Sequence, residues 1–443
     1  MNFFLRYLWA GWWAIGASPA VAQVTLANLA ACYEYAHQHN PDLAQARLNG
    51  QISLENQRLA RAGLLPQLKA STTIDDYLQL PTQLIPTAAF GGPANEFRAV
   101  QFGTKYQWTA SLDGSLPLVN ANAWNQHKNA KLNADLAQAR TRATQMEVDE
   151  QVARAYYLSL LAQAAVEIAR QNALVSDSLL ASAGAKARNG LLEPIDLNRI
   201  KANNVLLNNQ LANNRLVLQK NLNTLKTLLG IDLATAVVLS EPLAAPAAPA
   251  PDVARLAPEN YPQFLVNKIN VSLAGLALRN ERQGRLPQLS LVGRYAQQNF
   301  RNDLGFFQPG SNWFALGLLG LRLEVPVFGG LGRPASIQRA KLNLQLAEHQ
   351  LTDYLRKTQA KDHELDLNYQ QASQGTAAAD QARQLGEANY RIARIKYANG
   401  TYSLDQLLNV HNELLNAQNQ YLSQLSDRLF CQAALELRLQ QSN

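Results

Sequence analysis

Leu65-Pro66-Gln67-Leu68 returns later in the chain as Leu286-Pro287-Gln288-Leu289, and Ala130-Lys131-Leu132-Asn133 returns as Ala340-Lys341-Leu342-Asn343. Asn189-Gly190, after Ala187-Arg188, is echoed by Asn399-Gly400 after Tyr397-Ala398. The three pairs keep their order, so the chain is an internal duplication. Each copy reads as a strand pair followed by a very long helical hairpin. A unit of this kind is incomplete alone, because its helices carry apolar faces and its strands carry open edges that neighbours must cover.

Working outward from the first copy, Pro66 forces an extended entry. Leu68, Ala70, Thr72 and Ile74 then share one face, with Ser71, Thr73 and Asp75 on the other. The segment 81–96, rich in Pro, Gly and Ala, reads as a loop. Beyond it Trp108, Ala110 and Leu112 alternate with Thr109, Ser111 and Asp113. The second copy repeats the pattern at Leu289–Tyr295 and Trp313–Val327, where Trp313, Ala315, Gly317, Leu319, Leu321, Leu323 and Val325 share a face and the opposite face is mixed, ending in Arg322 and Glu324. Alternation suits a strand between lipid and a wet lumen. It equally suits a half-buried sandwich strand.

The helical segments are more selective. No proline falls between Pro117 and Pro194, and no glycine between Gly114 and Gly184. A helix from Ala121 to Arg188 would be about 100 Å long at about 1.5 Å per residue, and one from Pro334 to Ala398 would nearly match it. Leu132, Leu136, Ala139, Ala143 and Met146 form a heptad seam that resumes after Glu150. Return seams run through Leu207, Leu211, Leu218, Leu222, Leu225 and Leu229, and through Leu404, Leu408, His411, Leu415, Leu422, Leu425 and Leu429. Asn214, His411 and Gln418 fall on seam positions, which predicts a loosely packed or partly wetted interface. Frequent Ala, Asn and Gln suit a wide tube of helices with one inner and one outer face. A stack of solvated coiled coils without a lumen would use the same residues.

Residues 1–22 have a short basic start at Arg6, an apolar stretch from Leu8 to Ala17 and an Ala20-Val21-Ala22 cleavage site, which read as an export signal that leaves Gln23 at the mature N-terminus. Leu29-Ala30-Ala31-Cys32 resembles a lipoprotein box, but it lies past the apolar stretch and inside a helical pattern. Cys32 and Cys431 are too few for a disulfide framework, and two separate thiols are the simpler expectation. Residues 241–257, rich in Ala and Pro, read as a stiff link between the copies. No later apolar run reaches the length of a membrane helix, so a crossing would have to be made by strands in a closed barrel.

The formal charge of the 443-residue chain is +7, one less without Arg6. Both signs are mixed along the helices, which gives no nucleic-acid footprint. His37, His39, His127, His349, His363 and His411 have no metal-ligand spacing, and no His-Glu-x-x-His, phosphate-loop, dinucleotide or nucleophile-elbow motif is present. The expectation is a protein that is not an enzyme, with no cofactor and no metal.

The sharpest local signals are the hairpin ends: Asn189, Gly190, Leu191, Leu192 and Glu193 in the first copy, and Asn399, Gly400, Thr401 and Tyr402 in the second. Glycine ends a helix in the left-handed conformation, Pro194 suits a first helical turn, and Ser403 can cap the helix that carries Asp405. Acidic groups in a first turn are favoured by free N–H groups, a structural reason for Glu193, Asp196 and Asp405. A second role arises if copies converge at one end of an assembly, where their charges would ring an aperture.

In this order the features resemble the TolC-like outer membrane efflux proteins. The resemblance rests on the export signal, Val24-Thr25-Leu26 opening a helix that runs into Asn40-Pro41-Asp42-Leu43, the Leu-Pro-Gln-Leu pair, strand exits at Pro117 and Pro326, and the two glycine turns. It covers the mature chain. It implies a mixed α/β membrane protein: a homotrimeric twelve-stranded β-barrel, four strands per chain, continued by an α-helical barrel of coiled-coil hairpins. The domains would be a signal at 1–22, a first repeat at 23–240, an equatorial linker at 241–257 and a second repeat at 258–443.

The resemblance further implies an outer-membrane exit channel of a tripartite efflux or type I secretion system, with a periplasmic adaptor and an inner-membrane RND or ABC pump as partners and outer-membrane lipid around the barrel. The two glycine turns would meet the adaptor, Asp196, Asp405 and Asn409 would be candidate aperture residues, and Pro117 and Pro326 would mark strand-to-helix transitions. Asp405 follows its glycine by five residues and Asp196 by six, while Asn409 stands where another acid is usual. A strong double acidic ring is therefore not expected. The alternative is a periplasmic coiled-coil scaffold or adaptor without a pore.

Overall fold

The computed structural model describes residues 24–91, 93, 95–241, 243 and 256–442; the export signal and most of the 241–257 linker lie outside them. The elements are β1 (Val24–Leu26), α1 (Leu29–His39), α2 (Pro41–Ala62), β2 (Gln67–Asp76), β3 (Thr82–Pro86), β4 (Phe97–Gln101), β5 (Tyr106–Val119), α3 (Ala121–Arg188), α4 (Pro194–Leu229), β6 (Val237–Leu239), α5 (Pro262–Gln283), β7 (Gln288–Arg301), β8 (Trp313–Glu324), α6 (Gly332–Ala398) and α7 (Leu404–Ser442). They divide into two compact units, one of residues up to Ala46 with Thr141–Pro262 and Leu355–Asn443, the other of Arg47–Arg140 with Gln263–Tyr354.

The second unit is built on an antiparallel sheet in the order β2-β5-β7-β8. Its register sorts the side chains by chemistry. One face aligns Ala70, Leu112, Tyr295 and Gly317 in one row and Leu68, Gly114, Gly293 and Leu319 in the next. The other face aligns Lys69, Asp113, Arg294 and Leu318, with Ser71, Ser111, Ala296 and Leu316 beside them. On that polar face Arg294 lies 3.2 Å from Asp113, and the Ser111 hydroxyl bonds Asp113 at 3.0 Å and Ser71 at 3.0 Å. β8 has the mixed face expected of it, since Phe314, Leu316 and Leu318 share that face with Arg322 and Glu324, while Leu319, Leu321 and Leu323 are exposed on the other side. β2 and β8 are the sheet's two unpaired edges.

Two expectations need correction here. The loop at 81–96 contains β3 and the start of the connection to β4, which pair as an antiparallel hairpin; local Pro and Gly content hid two five-residue strands. Pro117 is not the point where the strand yields to helix. It lies inside β5 at a register shift, beyond the residues that pair with β2, and the helix begins only at Ala121. A missing N–H is tolerated there because only one neighbour strand remains. Pro326 does follow the end of β8, with a short connection before α6. Trp108 anchors an aromatic cluster at the far end of the sheet, in edge contact with Phe306, Phe307 and Trp313.

The first unit is helical around a core of Tyr156, Val152, Leu225, Leu229, Cys32 and Leu43, each nearly or fully sealed from solvent. Full burial of such side chains stabilises by roughly 1.5–3 kcal/mol each. The interruption at Asn40-Pro41 is a built joint. The Asn40 side chain accepts from the Leu43 N–H at 3.0 Å, capping α2, and donates to the Leu228 carbonyl at 2.7 Å, fixing the joint to α4. Gly230 ends α4 with φ +71°, and a Cβ there would overlap the His39 carbonyl oxygen. β1 pairs in parallel with β6.

Cys32 is buried within α1 and burial pushes its thiol up to about 12. Cys431 is half-buried, and both thiols are free. Maturation at Cys32 would delete β1 and the Asn28 side chain that caps α1 through the Ala31 N–H.

Two of the polar seam residues, Asn214 and Gln418, find partners while lining, with Asn172, a cavity of about 540 Å³, so the seam is loosely packed there as expected. Asn214 donates to the Ala165 carbonyl at 3.1 Å, and Gln418 accepts from buried Asn172 at 3.0 Å. A side-chain amide satisfies a backbone or amide partner across the seam, which removes the cost that burial alone would impose.

Candidate functional site: the hairpin ends

Both long helices end by the same backbone device. At the end of α3 Gly190 has φ +73°, its N–H bonds the Ala187 carbonyl at 3.0 Å, and the Leu191 N–H bonds Lys186 at 2.9 Å. At the end of α6 Gly400 has φ +74°, its N–H bonds Tyr397 at 3.1 Å, and the Thr401 N–H bonds Lys396 at 2.9 Å. These paired bonds satisfy carbonyls that a helix end leaves open. Thr401 adds its hydroxyl to the Lys396 carbonyl at 2.9 Å.

The return helices start differently. Pro194 opens α4 after Glu193, whose side chain makes no capping bond. α7 opens with a reciprocal box in which Ser403 accepts from the Gln406 N–H at 3.3 Å and Gln406 accepts from the Ser403 N–H at 2.9 Å. Asp196 and Asp405 both lie in first turns, as anticipated.

The two ends are packed together. Ala183, Ile200 and Leu404 form a buried cluster with Leu192, Leu197, Tyr397 and Leu408 at its margin. Leu191 and Ile195 remain well exposed on the first turn, whereas Tyr402 is half-buried with the Lys396 ammonium 4.8 Å from its ring centre.

The candidate aperture residues separate. Asp405 forms an ion pair at 2.6 Å with Arg199 of α4, so it bridges the two hairpins. Asp196 lies toward Tyr397, whose phenol is pushed up by burial first and by Asp196 second. Asn409 is exposed. Arg199 was not singled out in the sequence; it stands one turn beyond Asp196, but its partner is 206 positions away.

Behind this surface His411 is sealed between helices. It stacks on Tyr390 with ring centres 4.5 Å apart, its Nε2 has no hydrogen-bond partner, and burial, helped by Arg394, pushes its imidazole down to about 4. It is therefore neutral at neutral pH.

A family model described as outer membrane efflux protein matches residues 32–231. Two curated relatives, the probable efflux pump outer membrane protein SepC and the toluene efflux pump outer membrane protein TtgF, both from Pseudomonas putida, are each 25% identical over 90% of this chain and 80% of theirs. The solved outer membrane protein VceC from Vibrio cholerae superposes with a TM-score of 0.75 at 19% identity, over 94% of this chain and 95% of that one. The chain thus shares the fold of that solved outer membrane protein. It is similar to outer membrane efflux proteins.

Proposed function

We propose that three copies of this chain form an outer-membrane exit duct, passively conducting substrates that an inner-membrane RND or ABC pump and a periplasmic adaptor deliver to it. The observation that carries this is a four-stranded sheet with both edges unpaired, in which β2 and β5 alternate between an apolar and a polar face. Four strands are too few to close a membrane barrel, since single-chain barrels start at about eight. Joining β8 of one copy to β2 of the next removes both open edges of the four-stranded sheet and gives twelve strands.

In that arrangement the Ala70–Leu112–Tyr295 face meets outer-membrane lipid and the Lys69–Asp113–Arg294 face meets water. The aromatic cluster around Trp108 suits a membrane–water boundary. The helical hairpins would continue the duct into the periplasm, with the turns at Gly190 and Gly400 meeting the adaptor. The Arg199–Asp405 pair, joining hairpins, holds the end narrow. No helix among the described residues is long and apolar enough to cross a membrane, which is consistent with strands as the spanning elements.

The test is the purified protein in detergent, sized and then inserted in a planar bilayer. A trimer with a small resting conductance that rises in Asp405→Ala is the expected result. A folded monomer that dissolves in plain buffer with protected strand edges would overturn the assembly. An unchanged resting conductance in Asp405→Ala would remove that residue from the constriction.

A further inference from the structure

A cavity of about 310 Å³ lies beside the tunnel-end turns, between α3, α6 and α7. Its polar lining is Lys186, Arg394, Tyr390, Tyr397, Ser178 and Ser182, over a floor of Val175, Leu179 and Leu407. No carboxylate lines it. The Lys186 ammonium sits 5.5 Å from the Tyr397 ring centre. Neither Lys186 nor Arg394 has an acidic partner among the described residues.

The geometry points to a binding site for a carboxylate carried on an apolar or aromatic framework. Two cations from different helices line one cavity where no acid among the described residues pairs with them, and a carboxylate is the group that bridges such a pair through charge-assisted hydrogen bonds. Two tyrosine rings and an aliphatic floor provide the apolar wall, and Ser182 provides a hydroxyl donor at the rim, that of Ser178 being given to the Leu174 carbonyl at 3.0 Å. The volume is at the lower end of the roughly 300–1,000 Å³ found for small-molecule sites, so a single ring fits and a large drug does not.

The site is also electrostatically prepared. Burial pushes the Tyr390 and Tyr397 phenols up, so both hydroxyls remain protonated donors. The groups facing Tyr390 are Arg394 and, on its other side, neutral His411, while Asp196 faces Tyr397 from α4. Lys186 belongs to the first hairpin and Arg394 to the second, so an occupant would tie the two together close to the Arg199–Asp405 pair. The site goes beyond the duct reading and stands on the geometry of one chain.

The experiment is isothermal titration of the full-length detergent-purified protein with benzoate and, separately, with uncharged benzamide. Benzoate is expected to bind in the millimolar range, with benzamide at least tenfold weaker. The Lys186→Gln, Arg394→Gln double variant should lose binding at least tenfold with an unaltered melting profile, while Arg394→Lys should stay within about threefold of wild type. Equal binding of benzoate and benzamide, or undiminished binding in the folded double variant, would overturn the site. A second arm adds benzoate to the complex with the periplasmic adaptor. Displacement identifies the natural carboxylate as an acidic side chain of the adaptor, and retention identifies it as a free organic acid. Failure of the conductance test would leave this titration interpretable, and the reverse.

Discussion

The two hairpin ends share their stops and differ in their restarts. Gly190 and Gly400 close α3 and α6 with the same pair of backbone bonds, whereas α4 begins at Pro194 without a side-chain cap and α7 begins with the Ser403–Gln406 box. The first end exposes Leu191 and Ile195. The second holds Tyr402 under Lys396 and buries His411 below it. Duplication has therefore preserved what one strand of local sequence can specify, while the side chains that cross between hairpins have diverged. Arg199 of one copy meets Asp405 of the other, and no mirror-image pair joins Asp196 to α7 among the described residues.

The comparison is tested most strongly in the packing beneath the ends. Ile200 and Leu407 are each 1% exposed, so Ile200→Ala and Leu407→Ala should each cost about 2–5 kcal/mol. Both changes should loosen amide-hydrogen protection at both ends, because the clusters contain residues of both hairpins. Loosening confined to the mutated hairpin would show that the ends are independent.

His411 should separate the ends by pH. Its imidazole is pushed down to about 4 in the folded protein, against about 6.5 in an unfolded chain. Between those values the unfolded chain binds a proton that the folded chain does not, so stability falls as pH falls from about 6.5 to about 4, by about 3 kcal/mol in all. Protection near α7 should decline over that window, and His411→Leu should flatten the decline. α4 carries no histidine, so a matching decline confined to the first end would contradict this account.

The two stops should respond alike. Gly190→Ala and Gly400→Ala meet no atom within 4 Å, so each change costs only left-handed strain, about 1–2 kcal/mol. Unequal losses, read by hydrogen exchange at the turns, would reveal a constraint on one turn beyond its backbone.

The smallest effect belongs to the bridge. The Arg199 and Asp405 side chains are 48% and 67% exposed, so a double-mutant cycle should give about 0.2–1 kcal/mol of coupling, weakened by salt. Conductance, in contrast, should respond visibly to loss of either partner.

Much of this fold was legible because its signals are local or periodic. The glycine stops, the Ser403 cap, the broken helix at Asn40-Pro41 and the alternating faces of β2 and β5 are all specified by neighbouring residues. What was missed depends on partners far along the chain. The loose seam at Asn214 and Gln418 was expected, but a heptad position does not reveal that a carbonyl or an amide waits opposite. Arg199 looked like ordinary surface charge for the same reason. β3 and β4 were hidden because their alternation is brief and is flanked by Pro and Gly.

The parallel pairing of Val24–Leu26 with Val237–Leu239 sets an order of events during biogenesis. A chain that emerges amino end first presents β1 early, yet β6 follows only after α3 and α4. The beginning of the protein must stay unfastened until the complete α3–α4 hairpin and β6 have emerged. Ring closure over such a span adds little free energy, growing only with the logarithm of its length, but it imposes a delay. The small β1–β6 clasp thus reports that the first repeat has arrived whole, and a chain truncated before Val237 would never secure its own start.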